Sequence, residues 1–153
     1  MTNYLTQEGL ADLQAELKQI EEVLIPESYL AVDSARKEGD LRENAGFAAA
    51  KERAEDLNRR MDEIKDLLSD YQIITGDSTN TRIDLGDSFI IEYDHDGKDF
   101  TFTLVGSSEA DAVNGKISNE SPLGKEVLGK KVGDNVTFRV KNRLLKAKVK
   151  KII

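Results

Sequence analysis

Asp40 and Glu43 are the residues whose type and spacing most plainly suit chemistry. They lie in the run Gly39-Asp40-Leu41-Arg42-Glu43-Asn44-Ala45. Two carboxylates so close together offer hard oxygen donors to a divalent cation such as Mg²⁺, yet two donors do not fill the octahedral shell that this ion demands. Such a pair suits the completion of a metal site whose other ligands belong to a second macromolecule. The same residues also fit an ordinary helix start, with Asp40 as N-cap and Glu43 closing a capping box. The residues alone leave both readings open.

The elements that must position this pair are helical. Leu10, Leu13, Leu17, Ile20 and Leu24 recur at spacings of 3 and 4, and Ser28, Ala31 and Ala35 continue the line. Beyond the acidic run, Ala50, Ala54, Leu57, Met61, Ile64, Leu68 and Tyr71 repeat the pattern. Both are heptad seams, and so narrow an apolar stripe is that of a coiled coil. Thr6 with Gln7 and Glu8 marks a helix start. Pro26 removes one backbone donor inside the first pattern and predicts a kink there. Gly39 is placed to end the first helix as its C′ residue. So short a connection makes the two helices antiparallel, and arms of roughly 30 residues extend about 45 Å. The small seam residues fall near the tip, where they let the helices approach closely.

Past Thr75-Gly76-Asp77-Ser78-Thr79-Asn80 the period changes to two, which places a domain boundary between 76 and 77. Ser88–Tyr93 and Phe100–Val105 flank the turn Asp94-His95-Asp96-Gly97 and read as a hairpin. Val136–Val140 and the alternating Leu145, Ala147 and Val149 read as a second, joined near Lys141-Asn142-Arg143. Pro122–Leu128 reads as a short helix ended by Gly129. The expected fold class is α+β: residues 1–76 a coiled-coil hairpin with an acidic tip, residues 77–153 a small, mostly antiparallel sheet with one short helix.

Composition narrows the function. The 153 residues contain no cysteine and one histidine, His95, so thiolate chemistry and a histidine-built metal cluster are not expected. His95 falls in an exposed turn and carries no role. No apolar run approaches the roughly 20 residues that cross a bilayer, and the N-terminus lacks the basic and apolar regions of a signal peptide. A cytoplasmic protein without membrane contact is expected. The net charge is −7, divided into −8 for residues 1–76 and +1 for residues 77–153. A general affinity for duplex DNA is therefore not expected. Arg36, Lys37, Arg42, Lys51, Arg53, Arg59 and Arg60 nevertheless cluster in the first part. They suit a phosphate backbone as well as a solvated helix face with i,i+4 partners.

Gly39–Ala45 resembles the tip signature of the bacterial Gre transcript-cleavage factors, glycine-aspartate-leucine-x-glutamate-asparagine-alanine. Pro26-Glu27 falls where that family has a proline in its first long helix. Val105-Gly106, Glu109-Ala110-Asp111, Ile117-Ser118, Ser121-Pro122-Leu123-Gly124-Lys125, Leu128-Gly129-Lys130-Lys131 and Gly133-Asp134 are similar to the family's C-terminal motifs, in the expected order. The resemblance implies a transcription elongation factor. Its coiled coil would enter the secondary channel of bacterial RNA polymerase, and a globular domain similar to the FKBP-type fold would dock at the channel rim. Asp40 and Glu43 would then share a Mg²⁺ ion with the polymerase and orient a water, so that backtracked RNA is cut and elongation resumes.

On this reading the factor is not an enzyme in its own right and binds no stable metal alone. Arg36, Arg42, Asn44, Lys51 and Arg53 would support the tip or meet the nascent RNA 3′ end. Ser121 and Pro122 would dock on the polymerase, although a serine-capped helix start with proline at N1 accounts for them equally well. The chain departs from the family after the asparagine-alanine pair, where Gly46, Phe47 and Ala48 replace an acid, an aromatic and often a histidine. The modest basic cluster is closer to the GreA type, and an intramolecular coiled coil implies a monomer. Three competitors remain. The first is a Gre-fold homologue that occupies the channel and inhibits, and the second is a purely structural coiled-coil adaptor. The third is a prolyl isomerase, which needs an aromatic-lined pocket, whereas the alternation of Phe89, Tyr93, Phe100, Phe102 and Phe138 reads as core.

Overall fold

Leucine, isoleucine and alanine at helical spacing form two arms in the computed structural model, which describes residues 2–38 and 44–153. The chain divides into two compact units. One comprises Leu10–Asp70, and the other joins Met1–Gly9 to Tyr71–Ile153.

In the first unit, helix α1 (Gln7–Gln19), a π-helical turn (Ile20–Leu24) and helix α2 (Ile25–Lys37) follow without interruption and build one arm. Helix α3 (Ala45–Ser69) is the other. Ala35 meets Asn44 and Arg36 meets Phe47, whereas Glu16, far back along the first arm, meets Arg60, far forward along the second, so the arms are antiparallel. Ile20, Ser28, Ala54 and Ile64 are buried between them, with Leu13, Leu17, Leu24, Leu57, Met61 and Leu68 half-buried. Small residues thus sit at the seam where close approach was expected.

The disturbance expected at Pro26 takes a specific form. Proline offers no N–H and its ring crowds the carbonyl four residues back, and the wider i→i+5 turn just upstream relieves that conflict. The extra residue re-phases the seam. Ala31, expected within it, is exposed, and Val32 is half-buried in its place beside Ser28 and Ala35. Tyr71 likewise leaves the seam, because α3 ends at Ser69 and Tyr71 opens a strand.

In the second unit, strands β1 (Asn3–Leu5) and β2 (Tyr71–Ile73) pair in parallel. This ladder ties the N-terminal residues and residues 71–76 to the C-terminal part, so the spatial division departs from the boundary read between 76 and 77. The signal was weak, since a strand of three residues shows almost no alternation. A five-stranded sheet has the order β5 (Lys116–Ser118), β4 (Asp99–Val105), β3 (Ser88–Tyr93), β7 (Arg143–Ile152), β6 (Asn135–Val140). The sheet is mostly antiparallel, as expected, with edge strand β5 running parallel to β4. The expected hairpins β3–β4 and β6–β7 are both present.

Helix α4 (Pro122–Val127) lies on one face and closes a core of Ile83, Phe89, Ile91, Leu104, Leu123, Val127, Val136, Phe138, Ala147 and Val149. Gly124 lets this helix approach, because a Cβ there would stand 1.9 Å from the Ser118 carbonyl oxygen. Asp87 is fully buried and accepts from Asp77 N (2.8 Å), Asn80 Nδ2 (2.8 Å) and Asp84 N (2.9 Å), which secures the segment entering β3. No helix among the described residues is long and apolar enough to cross a membrane.

Candidate functional site

The chain between the two arms carries the acidic pair. Asp40, Arg42 and Glu43, with Gly39, lie outside the described residues, and the structure gives the geometry of what flanks them. On one side α2 runs to Lys37 and Glu38 follows, its N–H donating to the Ala35 carbonyl at 3.3 Å. On the other, α3 begins at Ala45 with Asn44 as its N-cap. The Asn44 side-chain oxygen accepts from Phe47 N at 2.9 Å, while its amide nitrogen donates to the Ala35 carbonyl at 2.6 Å.

The capping box read at Asp40 and Glu43 falls outside the described residues, and the N-cap of α3 is Asn44. Asparagine wins because its one side chain offers an acceptor to the start of α3 and a donor to the end of α2. A carboxylate at that position has no donor for the second bond.

Phe47, one of the departures from the family pattern, is half-buried, and the Arg36 guanidinium stands 6.0 Å from its ring centroid. That is the range of a cation–π contact. The structure thus brings Arg36, Asn44 and Phe47 together across the two arms. Lys51 and Arg53 lie further along α3 with exposed side chains. Gly46 is also exposed in the first turn of α3, where it costs up to about 1 kcal/mol of helix propensity relative to alanine.

Further back, Arg60 grips Glu16 with both prongs of its guanidinium, Nε to Oε1 at 2.7 Å and Nη2 to Oε2 at 3.0 Å. The Arg60 hydrogen bonds hold the Glu16 carboxyl below its usual range, and Glu16 in return raises the guanidinium. Lys65 pairs with Glu21 at 3.1 Å. Part of the basic cluster is thereby absorbed in joining the arms.

In the other unit, Ser121 caps α4 by accepting from Gly124 N at 3.0 Å, donates to the Ser118 carbonyl at 2.6 Å, and precedes the exposed Pro122. Both residues serve the helix start. Of the five rings read as core, Phe89 and Phe138 are buried, Tyr93 and Phe102 half-buried, and Phe100 exposed at the rim. His95 lies in the turn after β3, with Nε2 3.2 Å from an Asp96 carboxylate oxygen.

No cluster of three or more histidine, cysteine, aspartate or glutamate side chains among the described residues is arranged to hold a metal ion. The donor chemistry of Asp40 and Glu43, two hard carboxylates in one short stretch, fits a shared Mg²⁺ and supplies only part of its shell.

Comparison with known proteins places both units. The family description "Transcription elongation factor, N-terminal" matches residues 3–73, and "Transcription elongation factor, GreA/GreB, C-term" matches residues 78–153. The chain belongs to the GreA/GreB family of transcription elongation factors. It is 37% identical to the transcription elongation factor GreA of Chloroflexus aggregans over 150 residues, covering 97% of this chain and 96% of that protein. It is 39% identical to GreA of Mycoplasma capricolum over 139 residues, covering 88% and 87%. Among solved structures it is similar to a crystal structure of the GreA factor homolog Gfh1 of Thermus thermophilus, at 26% identity and a TM-score of 0.45, covering 100% and 99%.

Proposed function

We propose that this chain acts on bacterial RNA polymerase as a transcript-cleavage factor, presenting Asp40 and Glu43 from its helical hairpin to the polymerase active site. The observation that carries the reading is the Asn44 cap. It satisfies the start of α3 and ties that start to the end of α2, which closes the hairpin on either side of the acidic run. Family membership supplies the partner at the level of the class: GreA/GreB factors are transcription elongation factors that work on the polymerase.

The roles of the chain's own residues follow. Asp40 and Glu43 would hold a Mg²⁺ ion whose other ligands come from the polymerase, and would orient a water for attack on the backtracked RNA. Such an ion would supply charge stabilisation for phosphoryl displacement. Arg36, held over Phe47, keeps a positive charge at the end of α2, and Arg42, Lys51 and Arg53 would add charge for the RNA 3′ segment. Ser121 and Pro122 present the start of α4 for docking at the channel rim. The bonds are broken by the polymerase, so the chain is an accessory factor rather than an enzyme. It works in the cytoplasm as a monomer.

The test uses a stalled, backtracked bacterial elongation complex with labelled RNA and Mg²⁺. RNA shortening is followed with no factor, with the wild-type chain, and with Asp40→Ala/Glu43→Ala. Rapid cleavage with the wild type and none above background with the double variant, both bound to polymerase, is the expected result. A bound wild-type protein that leaves the RNA intact overturns the proposal and favours a channel-occupying inhibitor. Equal cleavage by the two proteins removes the acids from the mechanism.

A further inference from the structure

Among the described residues of the helical unit, the exposed large apolar side chains all lie at positions 23–30 of the first arm. Val23 is 44% exposed, Tyr29 54% and Leu30 68%. Helix α3 has no large apolar side chain so exposed. A single exposed leucine is ordinary, whereas a contiguous apolar strip on one face marks a surface that something else covers.

Helix period places these side chains together. Pro26, Tyr29, Leu30 and Asp33 stand at i, i+3, i+4 and i+7 of α2 and share one stripe. Ser28, Val32 and Ala35 are the seam residues of this helix, which leaves Leu30 on the opposite side from α3. Pro26 is exposed as well. Val23 extends the stripe upstream from the π-helical turn, an irregularity that recurs at functional sites. The rim is acidic. Residues 19–35 include Glu21, Glu22, Glu27 and Asp33 and no basic residue, with Lys18 and Arg36 just beyond the two ends. Glu21 is drawn toward α3 by Lys65 at 3.1 Å, while Glu22 and Glu27 are exposed beside the stripe. Among the described residues neither of these two has a basic group within ion-pairing distance.

We infer that the outer face of the first arm, Val23, Pro26, Tyr29 and Leu30 rimmed by Glu22 and Glu27, docks against a protein surface that is apolar at its centre and basic at its rim. RNA polymerase as the carrier of that surface rests on the function proposed above. The charge selects the class of partner. Nucleic acid and anionic lipid are repelled by Glu22 and Glu27, and a second copy of this chain would bring the same acids together. A basic rim on the partner answers them. Tyr29 offers an aromatic body with a polar tip, a residue type enriched where proteins meet, and Leu30 offers apolar area that nothing in its own unit buries. From this strip α2 runs on to Lys37 and the acidic run follows, so contact here holds the arm that leads to Asp40 and Glu43.

The experiment follows binding of the full chain to bacterial RNA polymerase by biolayer interferometry at several salt concentrations. Wild type is compared with Val23→Gln/Tyr29→Gln/Leu30→Gln, with Glu22→Gln/Glu27→Gln, and with Leu144→Gln/Ile153→Gln, a control that removes exposed apolar side chains from the other unit. Circular dichroism establishes that each is folded, and Leu30→Gln alone takes over if the triple variant loses helix. The apolar variant should bind at least about tenfold more weakly, while the control stays within about threefold of wild type. The glutamate variant should bind more weakly at low salt, with a flatter dependence on salt. The concentration of the apolar variant that gives half-maximal cleavage of backtracked RNA should rise by the same factor as its dissociation constant. Equal binding by wild type and the apolar variant overturns the inference and leaves the cleavage role intact. A wild type that binds without cleaving, and still binds more tightly than the apolar variant, overturns the cleavage role and supports the docking strip. Absence of wild-type binding overturns both. A concentration-dependent dimer in sedimentation that the apolar variant abolishes would overturn the inference in favour of a second copy of this chain.

Discussion

The side-chain amide of Asn44 donates to the backbone carbonyl of Ala35 at 2.6 Å, joining the N-cap of one arm to the last turn of the other. The same side chain caps α3 through Phe47 N. Asn44→Ala removes both bonds and should lower the stability of the hairpin by about 1–2 kcal/mol, read as a fall in thermal midpoint. Asn44→Asp keeps the acceptor and loses the donor, so its loss should be smaller. An Asn44→Ala protein as stable as wild type would remove the amide from any role in closing the hairpin.

Arg36 and Phe47 meet across the same gap. Phe47→Leu keeps an apolar side chain and abolishes the ring face, so a loss of about 0.5–1 kcal/mol is expected. Arg36→Ala made in the Phe47→Leu background should then cost less than Arg36→Ala alone. A double-variant cycle by chemical denaturation measures this coupling, and strict additivity would show that the two side chains are neighbours without interaction.

The Arg60–Glu16 fork predicts a pH dependence. Its hydrogen bonds lower the Glu16 pKa in the folded chain. Stability from this pair is therefore present above the unfolded glutamate pKa of about 4.3 and is lost as pH falls through the lower, folded value. Both side chains are about two-fifths exposed, so solvent screening holds the contribution below about 1 kcal/mol. Glu16→Gln should be less stable than wild type at pH 7, with the difference vanishing under strong acid. A difference that persists unchanged at pH 2 would mean that packing, not charge, is lost.

Gly9 stands against the Glu109 carboxylate, which accepts from Thr6 N at 2.7 Å and from the Thr6 hydroxyl at the start of α1. A Cβ at Gly9 would lie 2.3 Å from the Glu109 carboxyl carbon. Gly9→Ala should therefore destabilise by about 1 kcal/mol or more, against the usual helical preference for alanine, because the carboxylate must leave its donors. Adding Glu109→Ala should remove most of that penalty, which unfolding of the double variant checks.

Asp87→Ala takes the shared acceptor from Asp77 N, Asp84 N and Asn80 Nδ2 and empties a buried position, and should cost about 2–3 kcal/mol. Asp87→Asn retains acceptor capacity and should fall between. A mild effect of Asp87→Ala, seen by thermal unfolding, would show that water replaces the carboxylate.

How far the sequence foretold these features depended on the range of each interaction. The two hairpins β3–β4 and β6–β7, the Ser121 cap and the seams at Leu13–Ile20 and Ala50–Leu68 are local, and period and turn residues report them directly. The β1–β2 ladder joins Tyr4 to Gln72, and a three-residue strand gives no alternation to find it by. Asn44 reads as a helix-start residue, but its bond to Ala35 crosses the hairpin, so the more familiar Asp40/Glu43 capping pattern took its place. The acids' own type and spacing were legible, whereas their chemistry rests on the family resemblance.

The π-helical turn at Ile20–Leu24 acts as an angular offset in the first arm. A regular α-helix advances each residue by about 100°, so rewinding this turn as regular α-helix, with the chain length unchanged, would rotate the rest of α2 by roughly that angle relative to the residues before it. Val32 would leave the seam and Ala31 would return to it. Arg36 would swing off the Phe47 ring, and the Ala35 carbonyl would turn away from Asn44. The local winding beside Pro26 therefore sets the azimuth at which the first arm ends, and with it the direction from which the chain departs toward Asp40.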